Sequence, residues 1–459
     1  TAKLDLGGNA AGASFMAAGD AAPLENGGSV VIFENGTVEG DVVAFLRTDQ
    51  TLAALAAESA VIYDATNGLS VQSLKNPSAL TSYVDTSDLS SSFVGWALGG
   101  LKKDLANLQP GFVAKDKLGG LDSNDPLLNA LLKGDAGTAR SILDRLSPKS
   151  YAAMIAMPVE TFHDDARNVS ARLAQRRFEK FVADAPWEFF AQAQMISVDN
   201  DTATDAPTFD FDRYGVFAGA DFRLDETTTL GLALGAGTGD ADIHNGGGKI
   251  ESDDYRLTAF GGKTLGENAY VNAGAQIGFS SYDVKRTTDY GSARGETDGW
   301  NAGAFAEAGV QLAISEANGL YATPYVGLAY THAEADSFKE DGGKAAFDAD
   351  SLSGDSLRAR IGCAFSWGFD VAGARWRVGL DAAYSRELLD DEIDVDVTAS
   401  DGSRISETSA ALPEDVFSIG PTLNVDVSVS ASIYAGYAFN AGTDSSTTHS
   451  ANVGFRLRF

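Results

Sequence analysis

The sequence predicts an all-β membrane protein: a 12-stranded antiparallel transmembrane β-barrel with an α-helix through the pore, preceded by a helical stretch and a short β-rich remnant. Three observations predict it. Between Pro186 and Phe459, twelve strand-length segments follow one another, many longer than the five or six residues of a soluble strand. Several of them alternate strictly between apolar and polar residues, the period-2 pattern of a strand with two different faces. The connections alternate between tight turns and longer acidic stretches, the asymmetry of a membrane barrel.

Composition narrows the field first. The chain has 459 residues, 64 acidic against 34 basic, for a net charge of −30. That argues against a nucleic-acid partner, because neutralising phosphates takes clustered Lys and Arg. With 44% hydrophobic and 10% aromatic residues the chain is too apolar for a disordered acidic segment. A single cysteine, Cys363, excludes a disulfide framework and a Cys-rich zinc site. His163, His244, His332 and His449 lie too far apart for an HExxH-type site, so neither a metal nor a cofactor is expected. No uninterrupted apolar run reaches about 18 residues, so no transmembrane helix is expected. Thr1-Ala-Lys-Leu-Asp5 has no signal-peptide character; the chain is expected to be processed, or part of something longer.

Residues 1–100 carry short alternating runs between Gly and Asn turns: Ser29–Phe33, Asp41–Leu46 and Ala60–Tyr63. Their spacing suits the last coils of a β-helix or a small irregular β domain. Residues 101–147 turn helical. Asp125-Pro126 supplies an N-cap and a proline at the first helical position, and Gly137–Leu146 has helical apolar spacing. From Ser147 or Ser150 a long helix is expected to run to about Phe181, bent near Pro158, within a segment bounded at 148–184. Between Ala166 and Phe181 stand Arg167, Arg172, Arg176, Arg177 and Lys180 against Glu179 alone. A basic helix in so acidic a chain is either a solvated face or a helix in acidic surroundings.

From 185 to 459 the strands are expected at about 187–199, 209–224, 228–243, 249–265, 268–290, 293–315, 319–335, 352–371, 374–396, 413–426, 428–441 and 447–459. In the last, Ala451, Val453, Phe455, Leu457 and Phe459 oppose Ser450, Asn452, Gly454, Arg456 and Arg458. A soluble sandwich also alternates, but about ten tilted residues cross a bilayer and these strands exceed that. Tight turns at Asp225, Gly266, Glu316, Ala372 and Asp426 alternate with longer connections at 199–208, 240–249, 335–351 and 390–412. Asn452-Val-Gly-Phe-Arg-Leu-Arg-Phe459 ends in alternating hydrophobics and a terminal Phe, a strand suited to pairing with an exposed sheet edge.

Leu146-Ser-Pro-Lys-Ser-Tyr-Ala-Ala-Met154, Val169-Ser-Ala-Arg-Leu173, Arg176-Arg177, the strand opening at Trp187 and Ile433-Tyr-Ala-Gly-Tyr437 through Phe459 carry a family resemblance. Over residues 125–459 the chain resembles the translocator of a classical, type Va secretion autotransporter. The resemblance implies an outer-membrane barrel in a Gram-negative-type cell, a helix threaded through its pore, and an N-terminal passenger exported and anchored at the cell surface. It also implies the lipid bilayer, the barrel assembly machinery and periplasmic chaperones as partners of a monomeric barrel. Asn452, Gly454, Leu457 and Phe459 resemble the assembly signal. Arg167, Arg172, Arg176, Arg177 and Lys180 are expected to plug the lumen against inward carboxylates, with Asp221 and Asp381 as candidates.

Some members of that family cut their own pore helix at an Asn-Asn pair. Here Asn168 is followed by Val169, which departs from the motif, so Asn168 is either a cleavage site or a hydrogen-bonded pore residue. Gly231, Gly235, Gly237 and Gly239 lie within a strand rather than at a phosphate loop, and are expected to thin the wall where the helix passes. The acidic run Asp390-Asp391-Glu392 either binds divalent cations or keeps the outer face solvated. Residues 1–124 show no nucleophile motif, and no catalytic residue is expected. Two other functions fit less well: a porin-like channel gated by the helix, and an adhesin acting through residues 1–100.

Overall fold

The computed structural model describes residues 86–99, 126, 127, 130, 136–178, 186–200, 209–410, 412–442 and 446–459, together with three short strands before them. Those strands, Ser29–Val30, Val43–Arg47 and Val61–Tyr63, pair antiparallel in chain order. The rungs of a β-helix stack in parallel, so the described part of this region is a meander instead. Its remainder, like most of the helix expected from Asp125, lies outside the described residues.

Two compact units divide the chain: Thr1–Ser147 with Thr288–Gly291 and Ala399–Glu407, and Pro148–Thr287 with Ser292–Thr398 and Thr408–Phe459. In the first, Ser90 caps the helix Ser91–Gly99 by accepting from the Phe93 amide at 3.1 Å. In the helix Ala136–Leu146, Arg140 donates to Asp144 at 2.7 Å and, through both terminal nitrogens, to Asp88 at 2.6 and 2.7 Å.

The second unit is a closed antiparallel barrel of twelve strands. They are β1 (Trp187–Asn200), β2 (Phe209–Arg223), β3 (Thr228–Ile243), β4 (Gly248–Leu265), β5 (Ala269–Thr288), β6 (Gly291–Val310), β7 (Leu320–Ala335), β8 (Leu352–Val371), β9 (Ala374–Glu387), β10 (Asp415–Asp426), β11 (Ala431–Gly442) and β12 (Ser446–Arg458). After Gln311, β6 resumes as Leu312–Ser315, whose register with β7 shifts at a bulge. Pairing of β12 with β1 closes the wall; Gly454 faces Gln192 and Arg458 faces Glu188. Closure satisfies every strand edge, which hydrocarbon demands.

The alternation sets the two faces. Leu232, Leu234, Leu257, Ile277, Val326, Leu328, Ile361, Ile419 and Val453 all project outward and are exposed, an apolar belt that lipid covers. Tyr214, Tyr255, Phe279, Trp300 and Tyr330 form an aromatic girdle at one rim, and Trp187, Phe189, Trp367 and Phe459 one at the other. Below the second girdle the turns are tight. At Asp225 the side chain accepts from the amides of Thr227 and Thr228 at 2.7 and 2.9 Å, and the Thr227 hydroxyl bond holds the carboxyl below its usual range. At Ala372-Gly373 both residues have positive φ, 51° and 81°, a hairpin turn matched to strand twist.

The opposite side differs from the sequence reading in two places. The stretch 240–249 is not a long loop; β3 and β4 run on until one short turn at His244–Gly246, because their outward Asp and Lys residues are as soluble in water as a loop is. The strand expected at 374–396 stops at Glu387. There the carboxylate takes the Leu357 amide at 2.6 Å in place of a ladder bond, Leu388 makes the last ladder bond to the Leu357 carbonyl at 2.9 Å, and a separate strand, Glu392–Ala399, begins after the break. That strand joins a small outer sheet in which it pairs with Phe347–Ala349, and Phe347–Ala349 in turn with Phe338–Lys339.

Candidate functional site: a helix held inside the barrel

The helix Ala153–Arg177 has 25 residues and follows a 3₁₀ turn, Pro148–Ala152. At 1.5 Å per residue it is about 37 Å long, enough to cross a bilayer core of about 30 Å. Pro158 lies inside it and has no N–H for the Met154 carbonyl. The wall makes good the loss: the Tyr282 hydroxyl donates to that carbonyl at 2.7 Å. The expected bend at Pro158 thus becomes a fixed junction with β5.

One face of the helix is apolar. Phe162, Ala166, Val169 and Leu173, spaced four, three and four residues apart, pack on Phe190, Phe217, Ala233, Phe260 and Phe305 of the wall. Glycines let the helix in: a Cβ at Gly303 would stand 2.6 Å from the Phe162 ring, and one at Gly354 would stand 2.7 Å from Ile155. Of the four glycines expected to thin the wall for the helix, only Gly239 lies near it, its added Cβ reaching 3.5 Å from the Met157 sulfur. Gly231, Gly235 and Gly237 instead make room for wall side chains, Phe260, Arg256 and Arg213 in turn. The sequence reading had the cause right and the beneficiary wrong, because large lumenal side chains compete for the same space.

Charge on the helix reverses along its length, and the wall reverses with it. In the outer half, Asp165 accepts from Gln194 at 2.9 Å, from Arg256 at 2.7 Å and from Gln276 at 2.8 Å. Arg256 also pairs with Asp254, which Arg213 clasps with bonds of 2.7 and 2.9 Å. Nearby, Arg358 donates to Glu160 at 2.5 Å, and the His163 ring lies 2.9 Å from the Ser356 hydroxyl. In the inner half, Arg172 donates to Asp221 at 2.7 Å and to Glu188 at 3.0 Å, while Arg176 meets the same two carboxylates at 2.9 and 3.3 Å. Acidic groups toward the N-terminal half and basic groups toward the C-terminal end also suit the helix dipole. Both carboxylates and both guanidiniums are buried, so losing a partner costs more here than it would at a surface, although Glu188 also meets Arg458 at 3.2 Å.

The remaining expected site residues fall as follows. Arg167 pairs with Asp164 on its own helix and donates to Ser450 at 2.5 Å. Arg177 stacks on Tyr270 at 3.6 Å and donates to Asn272 at 3.1 Å. Lys180 lies outside the described residues. Asp381 faces the lumen and meets wall residues rather than the helix: Arg360 takes it at 2.6 Å and Tyr325 donates to it at 2.8 Å. Asn168 donates to Asp164 at 2.8 Å and accepts from Asn452 at 3.0 Å, so its amide nitrogen is directed at a carboxylate. Gly454 lies under Tyr434, and Leu457 and Phe459 project outward, Phe459 against Phe189 with ring centroids 5.6 Å apart.

Glu188, Asp165 and Arg256 escaped the sequence reading. Glu188 was legible: Trp187 and Phe189 outward put it on the lumenal register with Phe190, Gln192 and Gln194. Asp165 stands just ahead of the basic run that begins after Ala166, and a basic stretch in the sequence does not point to its acidic neighbour. The helix packs on strands from β2 to β8, most closely on β7 and β4, and beside it a cavity of about 190 Å³ is bordered by Gln192, Tyr325, Arg360, Asp381 and Asn424.

A closed antiparallel barrel with an apolar belt, two aromatic girdles and its own helix ion-paired in the lumen defines an outer-membrane translocator. Residues 189–438 match the family model "Autotransporter beta-domain", and the chain belongs to that family. Its fold resembles the translocator domain of autotransporter NalP from Neisseria meningitidis, with a TM-score of 0.52, 17% identity, and coverage of 66% of this chain and 98% of that one. Over 301 residues the chain is 24% identical to Esterase EstA of Pseudomonas aeruginosa, 62% of this chain and 45% of that protein. Over 173 residues it is 30% identical to an extracellular serine protease of Serratia marcescens, 36% of this chain and 15% of that protein. The chain thus spans less than half the length of these relatives.

Proposed function

We propose that this outer-membrane translocator exports the segment preceding residue 148 through its own lumen and then holds it at the cell surface by the helix Ala153–Arg177. The observation that carries the reading is the seating of Arg172 and Arg176 between Asp221 and Glu188. A helix covalently continuous with what precedes it, and ion-paired to the wall along its length, is an anchor. The barrel works as a monomer, inserted by the barrel assembly machinery from periplasmic chaperones, with Asn452, Gly454, Leu457 and Phe459 in the strand that is read. The reading assigns the described residues no reaction, cofactor, metal or nucleic-acid partner.

The test is an epitope placed ahead of residue 86 in a chain given a secretory leader and expressed in a Gram-negative host. Antibody should bind intact cells, and deletion of 431–459 should abolish binding. An epitope reached only after permeabilisation, with the barrel in the outer-membrane fraction, would overturn the reading.

A further inference from the structure

At the outer mouth a second charged cluster plays no part in the seating of Arg172 and Arg176. Glu340, in the loop between β7 and β8, is wholly buried. Its Oε1 accepts from the Tyr151 hydroxyl at 2.6 Å and from Arg286 Nε at 2.8 Å. Its Oε2 accepts from Arg286 Nη2 at 2.8 Å and from the Phe347 amide at 3.0 Å. Arg286 and Tyr151 are buried as completely, and Arg286 also donates to the Ala345 carbonyl at 2.5 Å. The Tyr151 and Phe338 rings meet edge to face with centroids 5.1 Å apart, and Arg286 lies 4.4 Å from the centre of the Phe347 ring.

The three groups come from three different places. Arg286 belongs to the wall, Glu340 to the outer loop and Tyr151 to the turn that leads into the pore helix. Two loop rings, Phe338 and Phe347, are buried beside that turn. A charged pair with no exposed surface is costly unless every lone pair is met, and here Tyr151 meets one of them. We propose that the loop 336–351 is a lid that folds over the outer mouth once the helix is seated, with Glu340 as its clasp and Tyr151 as the group that reports the helix in place. The order of events rests on the export reading above, in which Tyr151 arrives at the mouth at the end of transit. Before that, the loop has no Tyr151 ring to cover and Glu340 has lost a donor.

The test uses the folded full chain in outer-membrane vesicles, with Tyr151→Phe and Glu340→Gln. Tyr151→Phe keeps the ring contact with Phe338 and deletes one hydroxyl, so it remains informative should Glu340→Gln fail to fold. Trypsin cleavage after Lys344 requires Ala345 and Phe347 to leave their buried positions. Its rate tracks the open population of the loop and should rise about tenfold in either variant, the effect of losing one hydrogen bond to a charged group. Antibody access to an epitope ahead of residue 86 is measured in parallel on cells and should not change. Equal cleavage rates in wild type and in the folded variants overturn the clasp, whatever the display result. Absent display in the wild type overturns the export reading, while the cleavage comparison still decides the clasp.

Discussion

Arg256 of the barrel wall donates through Nε to Asp165 of the pore helix at 2.7 Å, with both side chains 2% exposed. Gln194 and Gln276 donate to the same carboxylate, so one helical aspartate joins three strands. The helix is therefore held by opposite charges in its two halves, and the outer half is as much a part of the attachment as the basic half.

Asp165→Ala should lower the barrel's stability by about 3–5 kcal/mol, because Arg256 is left buried beside Arg213 with Asp254 shared between them. Thermal melting in detergent checks it. The double variant Asp165→Ala/Arg256→Ala should cost less than the sum of the two single changes, since the two residues share one network.

Reversing Arg172 and Arg176 to Glu places two carboxylates against Asp221 and Glu188, in a part of the lumen with little water to screen them. The helix should loosen at its inner end, conductance in planar bilayers should rise and the melting temperature should fall. Arg177→Glu alone should do much less, since Arg177 loses a stacking contact and a bond to Asn272 rather than an ion pair. Unchanged conductance after the double reversal would show that these pairs do not hold the plug, and would favour a gate that leaves the pore easily.

How far the sequence was legible follows from what each residue answers to. Strand positions came through because the bilayer imposes period 2 and a minimum length on each strand separately, so the pattern from Ala451 to Phe459 needs no partner to be read. Glu387 ended its strand early by a side-chain bond to the backbone of Leu357, a contact 30 residues away that no local pattern contains. The lumenal pairs divided likewise. The lumenal register of Asp221 and Asp381 is local, whereas which of them meets the helix depends on packing across the barrel: Asp221 lies beside Arg172, and Asp381 beside Arg360 and Tyr325.

Topology can be read by accessibility. Residues 267 and 390 lie at opposite ends of the barrel, in the tight turn after β4 and in the long connection after β9. On intact cells a membrane-impermeant maleimide should label Asp390→Cys and leave Glu267→Cys unlabelled until the outer membrane is opened. The native Cys363, on the lipid-facing register and half-buried, should stay unlabelled in both cases and serves as the internal blank. Labelling of residue 267 from outside would invert the barrel.

The seam between β12 and β1 supplies the last prediction, because there closure of the wall and the C-terminal signal coincide. The Phe459 amide donates to the Trp187 carbonyl at 3.0 Å, its ring meets Phe189, and a Cβ on Gly454 would stand 2.5 Å from the Ala191 carbonyl and 2.7 Å from the Tyr434 ring. Deleting Phe459 removes one ladder bond and an outward ring at the inner girdle, a modest loss to a finished barrel. Gly454→Val forces the backbones of β12 and β1 apart and moves Tyr434, whose hydroxyl bonds Gln192 at 2.9 Å, so it should obstruct closure itself. A charge at Leu457 adds a lipid-facing cost of about 2–4 kcal/mol at the midplane and less near the rim, where this residue lies. Heat-modifiable mobility on gels, followed over time after synthesis, separates the cases. Deletion of Phe459 should slow the appearance of the folded band with little change in its melting temperature, whereas Gly454→Val should depress both. Wild-type kinetics after loss of Phe459 would remove the terminal residue from the assembly signal.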